Sequence, residues 1–118
     1  MRVITLEYPN MALSPNRKHG KHWTTTQQAK KLAYEQGYYG AKMIYATDNP
    51  ANEPTPLKIT FVQSDKRKRD LDNLLSASKP VIDGIAKGMG IDDRLFEPIT
   101  LERGFNKEIS YMRVEIGS

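Results

Sequence analysis

The sequence predicts a single α+β domain in which two main helices pack against a mixed β-sheet. Segments that alternate apolar and polar residues, as half-buried strands do, occur near both ends of the chain. The longest segment with helical periodicity lies between two further strand-like segments. A length of 118 residues suits one hydrophobic core. We therefore expect the order β-α-β-α-β-β, with flexible loops at about 9–24 and 47–56.

The first half of the chain contains the first strand and the first helix. Residues 2–8 alternate β-branched and polar side chains and predict a strand. A helix is predicted from about Thr25, because Thr25 and Gln28 have the spacing of a capping box. We expect it to fray by Thr47. Its predicted packing face is narrow and rich in small residues: Ala29, Leu32, Ala33 and Gly37.

The second half contains the helix with the clearest periodicity. Residues 57–63 predict a strand, and helical spacing of apolar residues then runs from Leu71 to Met89. Pro80 interrupts this pattern, so we expect either a kink between Ser76 and Pro80 or a new helix that starts there. Two further strands are predicted, from about Phe96 to Arg103 and over 108–116.

The composition limits the class of protein. Eighteen Lys and Arg against fourteen Asp and Glu give a formal charge of +4, which favours polyanionic partners. The absence of cysteine excludes disulfides and thiolate metal sites and is typical of the reducing cytoplasm. No apolar run approaches the ~20 residues of a membrane span, and the first residues lack the apolar segment of a signal peptide. We expect a cytoplasmic protein without a membrane partner.

The stretch "DKRKRDLDNLL", residues 65–75, holds two carboxylates that could bind a metal. Asp70 and Asp72 would project to one side if the backbone before the helix is extended. Two convergent carboxylates suit Mg²⁺, which keeps several waters for a substrate phosphate. Alternatively, Asp70 or Asn73 caps the helix and Asp72 favours its positive end. The sequence argues against an EF-hand, since Leu75 stands where that calcium loop requires glycine.

Two basic clusters indicate a phosphate backbone as the partner. The cations Lys66, Arg67, Lys68 and Arg69 would offset the repulsion between DNA and the neighbouring carboxylates. The alternative is a solvated strand end. The second cluster, residues 17–23, contains Trp23, which could stack on an unpaired base or belong to the core. Two histidines in this cluster are too few for a metal site.

These segments together resemble the RusA family of Holliday junction resolvases. The similarity covers most of the chain, from "LSPNRKHGKHW" through "RKRDLDNLL" and "KPVIDGI" to "GIDDRLF" and the closing strands. The resemblance implies a homodimer that uses Mg²⁺ to nick paired strands of branched DNA, such as a four-way junction. It implies that Asp70 and Asp72 are metal ligands and that Asp92 or Asp93, with Asp93 favoured, is the third acid. We expect DNA contacts from the following residues: Asn16, Arg17, Lys18, Lys21, Lys66, Arg67, Lys68, Arg69 and Asn73.

The family also has a functional lysine, and here the sequence departs from the usual pattern. The lysine usually falls one turn after the second aspartate, where this chain has Ser76. Counting back from Asp83 matches Lys79 to it. Lys79 keeps nearly the same helical azimuth but lies ~4.5 Å further along the axis.

The third acid poses a problem of distance. One helix over residues 72–88 would separate Asp72 from the Asp92–Asp93 pair by ~24 Å. Either the chain folds back at Pro80, or the third carboxylate comes from a partner subunit related by a two-fold axis. The competing function is a DNA-binding protein without catalysis, in which the acids only stabilise a helix terminus.

Overall fold

The computed structural model describes residues 1–10, 13, 23–44 and 53–117, and side chains within the first helix from residue 26 onward. The elements follow the predicted order: β1 Arg2–Glu7, α1 Trp23–Ile44, β2 Thr55–Gln63, α2 Leu71–Met89, a 3₁₀ turn Asp93–Leu95, β3 Phe96–Phe105 and β4 Tyr111–Ile116. The predicted α+β class, with two main helices and a mixed sheet, is therefore confirmed.

The four strands form one sheet in the order β1-β4-β2-β3. Strand β4 pairs antiparallel with both β1 and β2, whereas β2 and β3 run parallel. The parallel pair needs a crossover, which α2 supplies. Alternate side chains of the central strands are buried against the helices: Leu57, Ile59 and Phe61 in β2, and Met112, Val114 and Ile116 in β4. One face of the sheet thus forms the core.

Helix α2 is uninterrupted from Leu71 to Met89 although it contains Pro80. Proline removes the backbone bond to the carbonyl of Ser76, but Ser76 lies on the exposed side of the helix, where water can satisfy that carbonyl. Gly90 ends the helix in a left-handed conformation with φ 79°. The new helix expected at Pro80 is therefore absent.

Helices α1 and α2 approach each other closely through small residues. A Cβ atom on Gly84 would collide with the carbonyl oxygen of Tyr34, and one on Gly37 would collide with that of Val81. Ala29 and Ala41 continue this contact along α1 and are buried. The predicted close packing is confirmed, but Leu32 is 60% exposed and does not belong to the packing face. The contact uses every fourth residue of α1, which turns Leu32 outward.

Several predicted boundaries shift. Helix α1 begins at Trp23 and β2 begins at Thr55. The last two residues of each predicted loop, 9–24 and 47–56, therefore belong to a helix or a strand. Strand β3 continues to Phe105, and β4 begins only at Tyr111 because the side chain of Asn106 accepts a hydrogen bond from the Glu108 N–H and forms a turn. In the described part of the chain, no helix is long and apolar enough to cross a bilayer.

Candidate functional site

The candidate site lies at the end of the sheet where β2 and β3 terminate. Gln63 and Phe105, the last residues of these parallel strands, are paired in register. The start of β4 and the end of β1 reach the same edge, since Tyr111 pairs with both Val62 of β2 and Glu7 of β1. Ligands of open α/β sheets commonly bind at the carboxyl ends of parallel strands. Residues 64–70 leave the sheet at this edge and lead into α2.

Asp70 and Asp72 are both exposed at the start of α2. Asp70 is the N-cap residue with extended backbone, φ −66° and ψ 123°, yet its side chain makes no capping hydrogen bond. Asp72 already lies in the first helical turn, so the expectation of an extended backbone holds for Asp70 alone. Within the described residues neither carboxylate has an ion-pair partner. Capping therefore does not account for Asp70, although Asp72 does favour the positive end of the helix.

The four cations before Asp70 differ in their surroundings. Lys66, Arg67 and Lys68 are exposed, and the Lys66 ammonium lies 5.7 Å from the centroid of the Phe105 ring. Arg69 is partly buried and forms a bidentate ion pair with Asp65, with N–O distances of 3.0 and 3.1 Å. Three charges thus face solvent beside the carboxylates, whereas Arg69 is bound within its own loop.

A hydrogen-bond network orders this loop. The buried Gln63 side chain accepts a bond from the Tyr8 hydroxyl at 3.1 Å and donates to the Arg67 carbonyl at 2.5 Å. The Arg103 Nε atom donates to the Arg69 carbonyl at 2.9 Å. Tyr8, Gln63 and Arg103 were not predicted from the sequence as supporting residues. Only the polar Gln63 at the end of an apolar strand could have indicated one of them.

Asp92 and Asp93 lie at the opposite end of α2, immediately before β3 begins. The described residues of one chain contain no group of three or more acidic or histidine side chains arranged to hold a metal ion. The structure therefore brings Asp70 and Asp72 to one end of the helix and leaves both candidates for the third acid at the other.

The two candidates for the third acid have different partners. Both carboxylate oxygens of Asp92 accept hydrogen bonds from the Arg94 side chain, which with the Arg94 backbone N–H lowers the Asp92 pKa to about 2. Asp93 instead faces Asp83, whose pKa is raised first by burial and then by its hydrogen bond and charge contact with Asp93. Asp92 is thus bound by the Arg94 guanidinium, whereas Asp93 contacts another acid, Asp83.

Lys79 lies on the exposed side of α2 and its charge acts on Asp83. By helical rise it is ~6 Å from Asp83 and ~10 Å from Asp72 along the axis. It lines a cavity of about 640 Å³ between the helices, together with Lys30, Lys31, Tyr34 and Ser76, among others. The structure therefore associates Lys79 more closely with the Asp83 end of the helix than with Asp70 and Asp72.

Of the remaining predicted site residues, the structure describes the side chain of Asn73 alone. Asn73 is partly buried in the first turn of α2, one residue beyond Asp72. The predicted DNA contacts Asn16, Arg17, Lys18 and Lys21, and the side chain of Trp23, lie outside the described residues.

Comparison with known proteins identifies a relative but no family. No known family model matches the chain. A protein of Xylella fastidiosa (strain Temecula1 / ATCC 700964), whose description reads "Uncharacterized protein", is 35% identical over 104 residues. The similarity covers 81% of this chain and 63% of the relative, so the chain spans less than two-thirds of that protein. The description of this relative names no activity.

Proposed function

We propose that this protein is a Mg²⁺-dependent, structure-selective endodeoxyribonuclease of the RusA type that resolves Holliday junctions by paired nicking as a homodimer. The observation that supports this most directly is the state of Asp70 and Asp72. Both carboxylates are exposed and have no cationic partner within the described residues, although basic residues precede them directly.

The donor chemistry at this position fits Mg²⁺. Asp70 and Asp72 offer hard oxygen ligands, and one or two carboxylates with waters and substrate phosphate are the usual Mg²⁺ environment. Bound there, the ion would polarise the phosphodiester and activate water. The protein would also position the DNA. Lys66, Arg67 and Lys68 face solvent and would hold the phosphate backbone beside the carboxylates.

A competing function is supported by a different observation. Asp72 lies in the first turn of α2, where its charge favours the positive end of the helix, and Lys66, Arg67 and Lys68 face solvent, which favours a basic DNA-binding protein without catalysis. In that protein Asp70→Asn and Asp72→Asn would leave DNA binding intact or tighten it, because each change removes a negative charge near DNA.

A cleavage assay separates the two functions. Four-way junction, flap and linear duplex are incubated with the protein, with and without Mg²⁺. We expect nicking of the junction only with Mg²⁺, and its loss by 10²-fold or more in Asp72→Asn because a metal ligand is removed. Junction binding, measured in Ca²⁺ by fluorescence anisotropy, should survive.

The matched control is Glu53→Gln, which neutralises an exposed acid that precedes β2, outside the candidate site. It should cleave like the wild type. Undiminished cleavage by Asp72→Asn would contradict the proposed function, and binding without any cleavage by the wild type would support the non-catalytic alternative.

A further inference from the structure

The Asp65–Arg69 ion pair is built into the loop that precedes the candidate site. The guanidinium and the carboxylate meet through two parallel hydrogen bonds of 3.0 and 3.1 Å. Paired forks of this kind fix orientation as well as charge. The Arg67 backbone N–H also donates to the Asp65 carboxylate, at 3.1 Å. Asp65 is thus held by the backbone of its own loop while it binds Arg69.

Other groups hold Arg69 on the same side. Its guanidinium carbon lies 6.0 Å from the centroid of the Tyr8 ring, a cation–π distance. The Tyr8 hydroxyl in turn donates to Gln63, a side chain that is only 4% exposed. The Gln63 amide also reaches the Asp65 carboxylate, at 3.4 Å. The Arg69 side chain is therefore directed to Asp65 and Tyr8 at the sheet edge.

Arg69 lies directly before the two candidate metal ligands in the sequence. Asp70 is the next residue, and Asp72 is the third residue after Arg69. If the Arg69 guanidinium were released from Asp65, the carboxylates of Asp70 and Asp72 would be the nearest acids in sequence. An arginine paired with a metal-binding carboxylate competes directly with the metal for the same oxygens.

We propose that Asp65 is a positioning residue that binds Arg69 and thereby keeps the carboxylates of Asp70 and Asp72 available for a divalent cation. This inference rests on the proposed function, since it concerns the same site. It also accounts for the mixture of charges in "DKRKRDLDNLL": three cations face solvent, and the fourth is neutralised by the aspartate at the start of the segment.

The test measures cation binding rather than cleavage. Mn²⁺, which substitutes for Mg²⁺ at oxygen sites, is titrated into the DNA-free protein, and unbound Mn²⁺ is followed by electron paramagnetic resonance. Asp65→Asn keeps the shape of the side chain but loses the charge that holds Arg69. We expect its Mn²⁺ affinity to fall about tenfold or more, because the released Arg69 guanidinium would form charge-assisted hydrogen bonds with the carboxylate oxygens that bind the cation.

A second substitution shows whether the loss acts through Arg69. In the double variant Asp65→Asn/Arg69→Gln no guanidinium remains to compete, so the affinity should return to near that of the wild type. Asp65→Glu, which keeps the charge, should retain most of the affinity. Glu108→Gln, which removes an exposed acid from the turn before β4, controls for the general effect of lost negative charge.

The outcomes are distinct. Asp65→Asn binding Mn²⁺ as the wild type does would overturn the inference, and so would a double variant as weak as the single one, because the loop itself would then be responsible. No Mn²⁺ binding by the wild type would overturn the proposed metal site as well. Circular dichroism confirms that each variant folds, and Asp65→Ser replaces Asp65→Asn in the same comparison if the latter does not.

Discussion

Asp83 shows how one residue's surroundings couple stability to pH. Burial raises its pKa above the ordinary value of 3.8, and the nearby Asp93 raises it further, whereas Lys79 lowers it. A carboxyl group with a raised pKa binds its proton more tightly in the folded state than in the unfolded state. Its contribution to stability is therefore complete below pH 3.8 and is lost as the pH rises through the folded-state pKa.

We accordingly expect Asp83→Asn to raise the melting temperature at pH 7, where the exposed wild-type carboxylate lies beside the like charge of Asp93. The gain should be a few degrees at most, because changes at exposed positions are usually worth ~0.5 kcal/mol or less. At pH 3 both states of the wild type are largely protonated and the difference should vanish. Thermal unfolding at the two pH values checks this, and an equal gain at both would contradict it.

At the same scale, side-chain partners are what the sequence could not predict. Asp65 and Arg69 stand in the quoted stretch, but the Tyr8 ring beside Arg69 is 57 residues away from Asp65 in sequence and reaches the loop only through the sheet. The exposure of Asp70 and Asp72 could be predicted, since charged residues at a helix start are rarely buried.

At the scale of elements, α2 is the part that the sequence predicted best. Its apolar spacing and its terminal glycine mark the observed limits, Leu71 and Met89. The face of α1 was predicted less well, because the periodic pattern included Leu32 while the contact uses residues four apart, down to the buried Ala41. Local patterns do not specify which side of a helix meets its neighbour when small residues form the contact.

The helix contact gives a stability prediction. In Gly84→Ala the new methyl group would collide with the Tyr34 carbonyl, so the two backbones must separate. We expect a loss of ~1–3 kcal/mol despite the higher helix propensity of alanine, because overpacking of this size costs about that much. Chemical denaturation measures it.

Ser76→Ala is the control for this change. It also places alanine in α2, but at an exposed position, so it should change the free energy of unfolding by ~0.5 kcal/mol or less. A Gly84→Ala variant as stable as Ser76→Ala would show that the helices can separate without loss.

At the scale of the whole molecule, the position of the third acid determines how a complete metal site could form. The uninterrupted α2 keeps Asp72 and the Asp92–Asp93 pair at opposite ends of a 19-residue helix. Because α2 continues through Pro80, the chain does not fold back there to shorten that separation. A second subunit with its α2 antiparallel about a two-fold axis would bring the two ends together twice, since an isologous contact repeats each pairing. Two such sites suit an enzyme that nicks two strands.

Sharing of this kind can be tested by mixing inactive subunits. In a dimer of Asp72→Asn with Asp93→Asn, one composite site receives both substitutions and the other receives neither, so nicking of a four-way junction should return. Random exchange makes half of the dimers mixed, each with one intact site, and the recovered rate should be about a quarter of the wild-type rate.

Asp70→Asn mixed with Asp72→Asn is the matched control, because both substitutions lie on the same half of the site and every composite site is damaged. Native mass spectrometry confirms the exchange of subunits. If mixed dimers form and the Asp72→Asn with Asp93→Asn mixture stays inactive, the third acid is not supplied by the partner.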